Sequence, residues 1–411
     1  MENYRKSVLP SGFTVCSEFI PSAYSVIIGV YITVGSRDED EKKAGISHFT
    51  EHSVFKGTKS RSEKEISLAI ESRGGYLNAS TSREWTSLYV HVLPEEVDLA
   101  FDILADLIEN PEFSEKALES ERAVILQEIK MFNDSPESLL FDYTFKSTFG
   151  DDHPLARLIM GSAESVNNIS PKDIREFWDD SWTADRIFIS AVGKINHDNL
   201  CDLVNKKITR KRGYVFKREF PEVRSKKVNA IAKPDLNHKY VALSFPSFSY
   251  NHELRFALLI AGTILGSGMS SLLFQKLRQE LSYVYEVATF NEFFSDSGIF
   301  GIYFSTDESR LPDALKATRD LLDSLNFSEE EVSMAKERLR GNVVISLESN
   351  GNRMERNVKE EICKGTRSTI PELLKKIEDV SVEEVSRVVR SFLKPENFVL
   401  TVLGEEDNVS W

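Results

Sequence analysis

The 411-residue sequence predicts an α+β fold of two homologous α/β domains, each an antiparallel-rich sheet with helices packed largely on one face. Three observations carry this. Segments rich in Val, Ile and Tyr alternate with segments whose apolar residues recur every three to four positions, the periods of strands and helices. The first half returns in the second: the stretch 311–322 parallels Glu96 to Ile108, and Phe327-Ser328-Glu329 stands where Phe113-Ser114-Glu115 stood, an offset of 214 (327 − 113). Between the halves, residues 206–228 are basic, poor in apolar periodicity and contain Pro221. The expected division is a domain over 1–206, a basic linker over 207–228 and a second domain over 229–411.

In order, residues 12–20 and 24–36 read as strands, the second closing near Gly35. The charged turn Arg37-Asp38-Glu39-Asp40 leads to a helix through His48, which Gly57 ends. Ser62 can cap the next helix, carrying Ile66, Leu68, Ala69 and Ile70. After Gly74-Gly75 come strands Tyr76–Ser82 and Trp85–Leu93, then helices over 95–109 and 114–133. A helix over 164–178, with Trp178 and Trp182 as core anchors, a strand Arg186–Gly193 and a helix Asn196–Lys206 close the first half. The second half reads as strands around 239–247, 282–292 and 297–305, with helices at 252–266, 311–322 and 328–349.

A hydrophobic content of 41% with 28% charged residues is that of a globular protein able to bury a large core. The net charge of −14 argues against nucleic acid as a partner, because phosphate binding needs a basic surface. Cys16, Cys201 and Cys363 are few, odd in number and far apart, which implies no disulfide framework and fits a reducing compartment. The N-terminal residues have no apolar core of a secretory signal, and the longest apolar run, Phe256 to Leu265, is too short to cross a bilayer. A cytoplasmic protein without membrane attachment is expected.

The chemistry concentrates in His48-Phe49-Thr50-Glu51-His52. At about 100° per residue, His48 and His52 project from one helical face one turn apart, and Glu51 shares that face. Two imidazoles so spaced can bind one metal ion, and the carboxylate between them can reach a water molecule on that ion. A third ligand must come from elsewhere. Glu121 and Glu128, two turns apart on the helix over 114–133, lie on nearly one face, and a glutamate there could complete a three-ligand site with an open fourth position. The second half has only His238 and His252, and the offset carries Glu128 to Asn342 (128 + 214), so it cannot hold the same metal.

His48-x-x-Glu51-His52, followed after 75 residues by Glu128 within Glu121-Arg122-x-Val124-Ile125-Leu126-x-Glu128, resembles the inverzincin pattern of the pitrilysin-type (M16) zinc metallopeptidases. The chain is most similar to their short members, those like the mitochondrial processing peptidase beta subunit. Val8-Leu9-Pro10-Ser11-Gly12, Gly74-Gly75-x-x-Asn78-Ala79-x-Thr81 and His153-Pro154-Leu155 through Gly161 extend the similarity over nearly the whole chain. Thr50 and Ser53 stand where the family more often has Leu and Met, and Ser282 replaces a common Gly; altered packing near the site and a changed local turn are expected.

The resemblance implies a zinc-dependent endopeptidase whose two domains form a clamshell around a chamber. His48, His52 and Glu128 would hold one Zn2+ per chain, Glu51 would be the general base, and Glu121 would orient a ligand. Asn78 and Ala79 would pair with the substrate backbone as an added strand, while Arg278 and Tyr285 of the second half would bind the substrate carbonyl. It also implies a homodimer, or a heterodimer with a related subunit, acting on peptides. A non-catalytic partner subunit and a structural zinc protein are the alternatives. Retention of all four metal-site groups weighs against the first, and a set of three ligands without Cys against the second.

Overall fold

The computed structural model describes residues 3–213, 218, 220–233, 236–404, 409 and 411. The chain forms two compact units, and neither is a contiguous half of the sequence. The first comprises Met1–Met131, Arg157–Glu219 and Leu347–Arg367; the second comprises Phe132–Ala156, Phe220–Ser346 and Ser368–Trp411. The boundaries read from the sequence keep each half whole, whereas the compact units trade one segment each.

The first unit holds a six-stranded sheet of β1 (Asn3–Val8), β2 (Thr14–Phe19), β3 (Val26–Ile32), β4 (Tyr76–Thr81), β5 (Thr86–Val92) and β6 (Ile187–Gly193), in the order β1-β2-β6-β3-β5-β4. Its ladders are antiparallel except β2–β6. β3 is buried along all seven residues, as its unbroken apolar sequence requires of a central strand covered on both faces. One face packs Val26, Ile28, Val30 and Ile32 into the main core with the helices α1 (Ile46–Val54), α2 (Glu63–Glu71), α3 (Val97–Glu109) and the first part of α4 (Glu115–Asp134). The other face, with Ile27, Tyr31 and Val192, is covered by Met354 and Val358 of helix Asn350–Lys364. That helix is mostly polar, and a buried carboxylate pins it: Glu18 accepts from Arg353 at 2.7 Å and from Asn357 at 3.0 Å and pairs with Arg367 at 3.1 Å. Such a pair adds specificity of placement more than net stability.

The second unit has a five-stranded sheet of β7 (Val228–Ile231), β8 (Lys239–Ser247), β9 (Val284–Phe293), β10 (Gly298–Thr306) and β11 (Val399–Leu403), in the order β7-β11-β8-β10-β9, with β7–β11 its parallel ladder. Val241, Leu243, Phe245, Phe300, Ile302 and Phe304 face helices Arg255–Gly266, Leu311–Asp323 and Val382–Ser391. On the opposite face Ala242, Tyr303 and Leu403 meet Leu140 of α5 (Pro136–Phe149), and Thr148 and Ser244 share a 2.6 Å hydrogen bond. The two exchanged helices begin 214 residues apart (350 − 136), so the repeat offset holds through the exchange.

Several elements differ from the sequence reading. The helix expected over 164–178 is two, Ala163–Asn168 and Pro171–Ser181, because Pro171 cannot continue a helix but fits its first turn. Trp182 is buried and Trp178 partly so. β1, β7, β11 and the helices at 136–149, 274–280, 350–364, 370–378 and 382–391 are additional. Of the expected linker, residues 214–217 and 219 lie outside the described residues, and the others between 208 and 227 form neither helix nor strand. Its arginines are not simply solvated: Arg210 stacks 3.9 Å above Trp178, and Arg218 pairs with Asp38 at 2.7 Å. No helix among the described residues is long and apolar enough to cross a membrane.

Candidate metal centre

The site stands on α1, whose start is tightly fixed. Gly45 precedes the helix at φ +94°, and a Cβ there would come within 2.5 Å of the Met160 carbonyl. Glycine is required for both reasons. Having no capping side chain, the helix borrows one: Glu39 accepts from the backbone N–H groups of Gly45 and Ser47, both at 2.7 Å. Burial pushes the Glu39 carboxyl up to about 8, against these donors and Arg157. Ile46, Phe49 and Val54 fasten the other face of α1 to the core.

α4 supplies the facing wall. Leu118, Ile125 and Ile129 bury one stripe. Arg122 lies 5.1 Å above the Phe49 ring and donates to the carbonyls of Val166 and Ile169, the latter at 2.7 Å, satisfying backbone at the end of helix Ala163–Asn168. This arginine holds α4 against α1, a role the sequence reading did not assign.

Between the helices, Nε2 of His48 and Nε2 of His52 are 3.1 Å apart, and Oε2 of Glu128 is 3.9 Å from the first and 3.6 Å from the second. A tetrahedral zinc ion with ligand bonds of ~2.0–2.1 Å has ligand–ligand edges of roughly 3.3–3.4 Å, and the three distances bracket that. Among the described residues this is the group of His, Cys, Asp and Glu side chains that could hold a metal ion. The electrostatics agree. His52 Nδ1 lies 3.0 Å from Glu121 Oε1, so a proton on Nδ1 is held there and the Nε2 lone pair faces inward. Burial and the neighbouring His52 push His48 down to about 3, which leaves it neutral. Two nitrogen lone pairs and a carboxylate oxygen directed at one point repel unless a cation lies between them. The donor set fits zinc.

Burial would push His52 down, but Glu121, Glu51 and Glu128 outweigh it and raise it. Burial raises Glu51, against the hydroxyl of Thr81, which donates to its Oε2 at 2.6 Å. Among the described residues Oε1 of Glu51 has no hydrogen-bond partner. The second oxygen of Glu121 lies 2.7 Å from Lys56 Nζ. Lys56, Thr81 and Glu39 were not singled out from the sequence for these contacts. Lys56 alone carried a spacing signal, one turn beyond His52 on the same face.

β4, with Asn78 and Ala79, is an edge strand paired only with β5. Ser82 N–H donates to Trp85 O at 2.8 Å, so that pair is hydrogen-bonded and the alternation of an antiparallel ladder follows from it. Asn78 turns its backbone groups to β5, whereas Leu77, Ala79 and Thr81 turn theirs to the open edge. The Ala79 N–H is met there by the Asn78 side-chain oxygen at 2.8 Å.

Arg278 and Tyr285 belong to the second unit, and the candidate ligands His48, His52 and Glu128 to the first. Arg278 is exposed, 5.0 Å above Phe274, and the Tyr285 hydroxyl donates to Asp307 at 2.8 Å. Counting 214 on from His48 and His52 reaches Gly262 and Gly266 (48 + 214, 52 + 214). A Cβ at Gly266 would meet Thr289 at 2.6 Å, and Thr289 donates to the Gly262 carbonyl at 2.9 Å. Where the first unit has the candidate ligands, the second has glycines that let β9 lie against the helix.

Comparison with known proteins finds two family models along the chain. The family model for insulinase, peptidase family M16, matches residues 14–162, and the model for the peptidase M16 inactive domain matches 168–339. An uncharacterized zinc protease of Mycobacterium tuberculosis is 36% identical over 408 residues, covering 97% of this chain and 93% of the relative. The uncharacterized zinc protease YmxG of Bacillus subtilis is 32% identical over 404 residues, covering 97% and 98%. Among solved structures, a protease from Helicobacter pylori superposes with a TM-score of 0.87 at 21% identity, covering 98% of this chain and all (100%) of that one. A peptidase M16 inactive domain protein from Pseudomonas fluorescens gives a TM-score of 0.88 at 17% identity, covering 98% of each.

Proposed function

The chain belongs to peptidase family M16, and on that premise we propose that it is a zinc-dependent endopeptidase that cleaves extended, unfolded peptide segments. The observation that carries the reading is the convergence of His48 Nε2, His52 Nε2 and Glu128 Oε2 beside a fourth carboxylate, Glu51, that is not among the ligands.

His48, His52 and Glu128 hold the ion. A zinc ion held there would supply Lewis acidity toward a peptide carbonyl and an attacking water. Glu51 takes the water proton on Oε1 and delivers it to the leaving amine, a role for which its upward-shifted carboxyl suits it. Glu121 keeps the His52 tautomer and, with Lys56, balances charge beside the site. Substrate lies along β4, bonding to the backbone of Ala79, with the Asn78 side chain at the same edge, so recognition depends on extended conformation more than on side-chain identity. Arg278 and Tyr285 serve as donors to the substrate carbonyl.

We assign the chain a cytoplasmic location, in keeping with three free cysteines. It acts as a homodimer enclosing a chamber, with one Zn2+ per chain. A non-catalytic subunit would have no chemical use for Glu51, and a structural zinc site would need a fourth protein ligand. The test is to incubate the protein with a random peptide mixture and read the products by mass spectrometry, before and after chelation and with zinc restored. Cleavage that is lost with the metal and returns with it supports the peptidase. Zinc-loaded protein that yields no products sinks it.

A further inference from the structure

We propose that Thr81 is a positioning residue for Glu51, one that couples pairing of a peptide along β4 to the orientation of the general base. The inference rests on the peptidase reading. Glutamate has three side-chain torsions, and its terminal one is broad; a carboxylate at the end of such a chain does not by itself present one oxygen to one point. Here the Thr81 hydroxyl donates to Oε2 at 2.6 Å, a charge-assisted contact of the strong kind. It leaves Oε1 as the oxygen directed to chemistry. Thr81 is suited to hold it, because a β-branched side chain in a strand is stiff at χ1.

The location adds the coupling. Thr81 is the last residue of β4, at the open edge of the sheet. By the ladder alternation its N–H and C=O point away from β5, toward an incoming strand, while its side chain reaches α1. A peptide that bonds to the Thr81 backbone therefore fixes the dihedral angles from which Oγ1 is hung, and Glu51 is held most firmly when substrate is paired beside it. Placement errors of about 1 Å at a reacting group can cost on the order of 10²-fold in rate.

Three variants test this in the zinc-loaded protein. Thr81→Val keeps the shape and β-branching but removes the donor; Thr81→Ser restores it. Thr81→Val should bind one zinc per chain, keep KM within about twofold and lose roughly tenfold in kcat, less than the roughly 10²–10⁴-fold of removing the general base itself. Its crystal structure should show the Glu51 carboxylate turned from the wild-type position. Thr81→Ser should recover most of the kcat, and Glu51→Gln marks the floor. Wild-type kcat in Thr81→Val, an unmoved Glu51 carboxylate, or a Thr81→Ser as slow as Thr81→Val would overturn the proposal. Failure of the peptidase reading appears separately, as no cleavage by wild-type protein, and the crystallographic comparison still decides on Thr81.

Discussion

Glu121 links His52 to Lys56: one carboxylate oxygen lies 3.0 Å from the imidazole Nδ1 and the other 2.7 Å from the ammonium. Burial alone would raise the Glu121 carboxyl, but these two partners outweigh it and hold it below the usual carboxylate value. The ring is thus oriented by a charge that is itself balanced. Glu121→Gln keeps the shape and removes the charge, and zinc affinity should fall about 10–100-fold, the usual cost of losing such an outer partner. Chelator competition measures it. Unchanged affinity would mean that Glu121 serves folding alone.

Metal binding and turnover should separate at two other glutamates. Glu51 contacts Thr81 and stands outside the ligand set, so Glu51→Gln should retain about one zinc per chain and lose roughly 10²–10⁴-fold in kcat. Glu128 is one of three proposed ligands, and Glu128→Gln should lose the metal first. Metal analysis alongside a peptide assay distinguishes the two. A metal-free Glu51→Gln, or a fully active Glu128→Gln, would reverse the assignments.

Thr50 is fully buried in α1, and its hydroxyl has no hydrogen-bond partner among the described residues. The family more often has Leu here, and the structure shows what the threonine costs. Thr50→Val removes a desolvated hydroxyl at nearly constant volume and should stabilise the protein by about 1 kcal/mol. The urea unfolding midpoint should rise while zinc content stays the same.

Ser282, which stands where the family often has glycine, lies in the left-handed region at φ +53°. That conformation favours glycine and costs a non-glycine residue roughly 1–2 kcal/mol. Ser282→Gly recovers part of this and gives some back to the entropy of the unfolded chain. A net gain of about 0.5–1 kcal/mol is expected in the same assay, and a loss would show that the serine side chain makes a compensating contact.

Strand addition along β4 needs a substrate with free backbone groups. A given peptide sequence should be cut when free in solution and spared when held within a stably folded host. Equal rates for the two would rule out recognition through the sheet edge.

Much of this was legible in the sequence because it follows from local spacing. His48, Glu51 and His52 are one turn of one helix, and Glu121 and Glu128 are two turns of another, so helical geometry alone groups each set. That α1 and α4 face each other came from the resemblance; physically it depends on Arg122 and Phe49, whose partners lie far along the chain. The 214-residue offset located β8, β10 and helices Leu311–Asp323 and Glu329–Ser346, since their apolar periods repeat. Helix Asn350–Lys364 escaped because its apolar stripe is only Met354, Val358 and the partly buried Ile362 among polar neighbours. Its attachment is by ion pairs with Glu18, and no periodicity reports those. Thr81 escaped for a related reason: a hydroxyl on a strand gives no sign of which carboxylate it will meet.

The traded helices set a schedule for making the protein. When residue 206 has been synthesised, the sheet of the first unit is complete in strands, yet Ile27, Tyr31 and Val192 still lack the cover of Met354 and Val358. At about 5–20 residues per second, the ribosome needs roughly ten to thirty seconds more to deliver residues Leu347–Arg367. Through that interval an apolar sheet face is open to chaperones and to neighbouring nascent chains. A clone cut at the basic linker would leave it open permanently. The first unit is therefore completed only after Arg367 has been made, and a product cut at the linker keeps His48, His52 and Glu128 without the helix that closes its sheet.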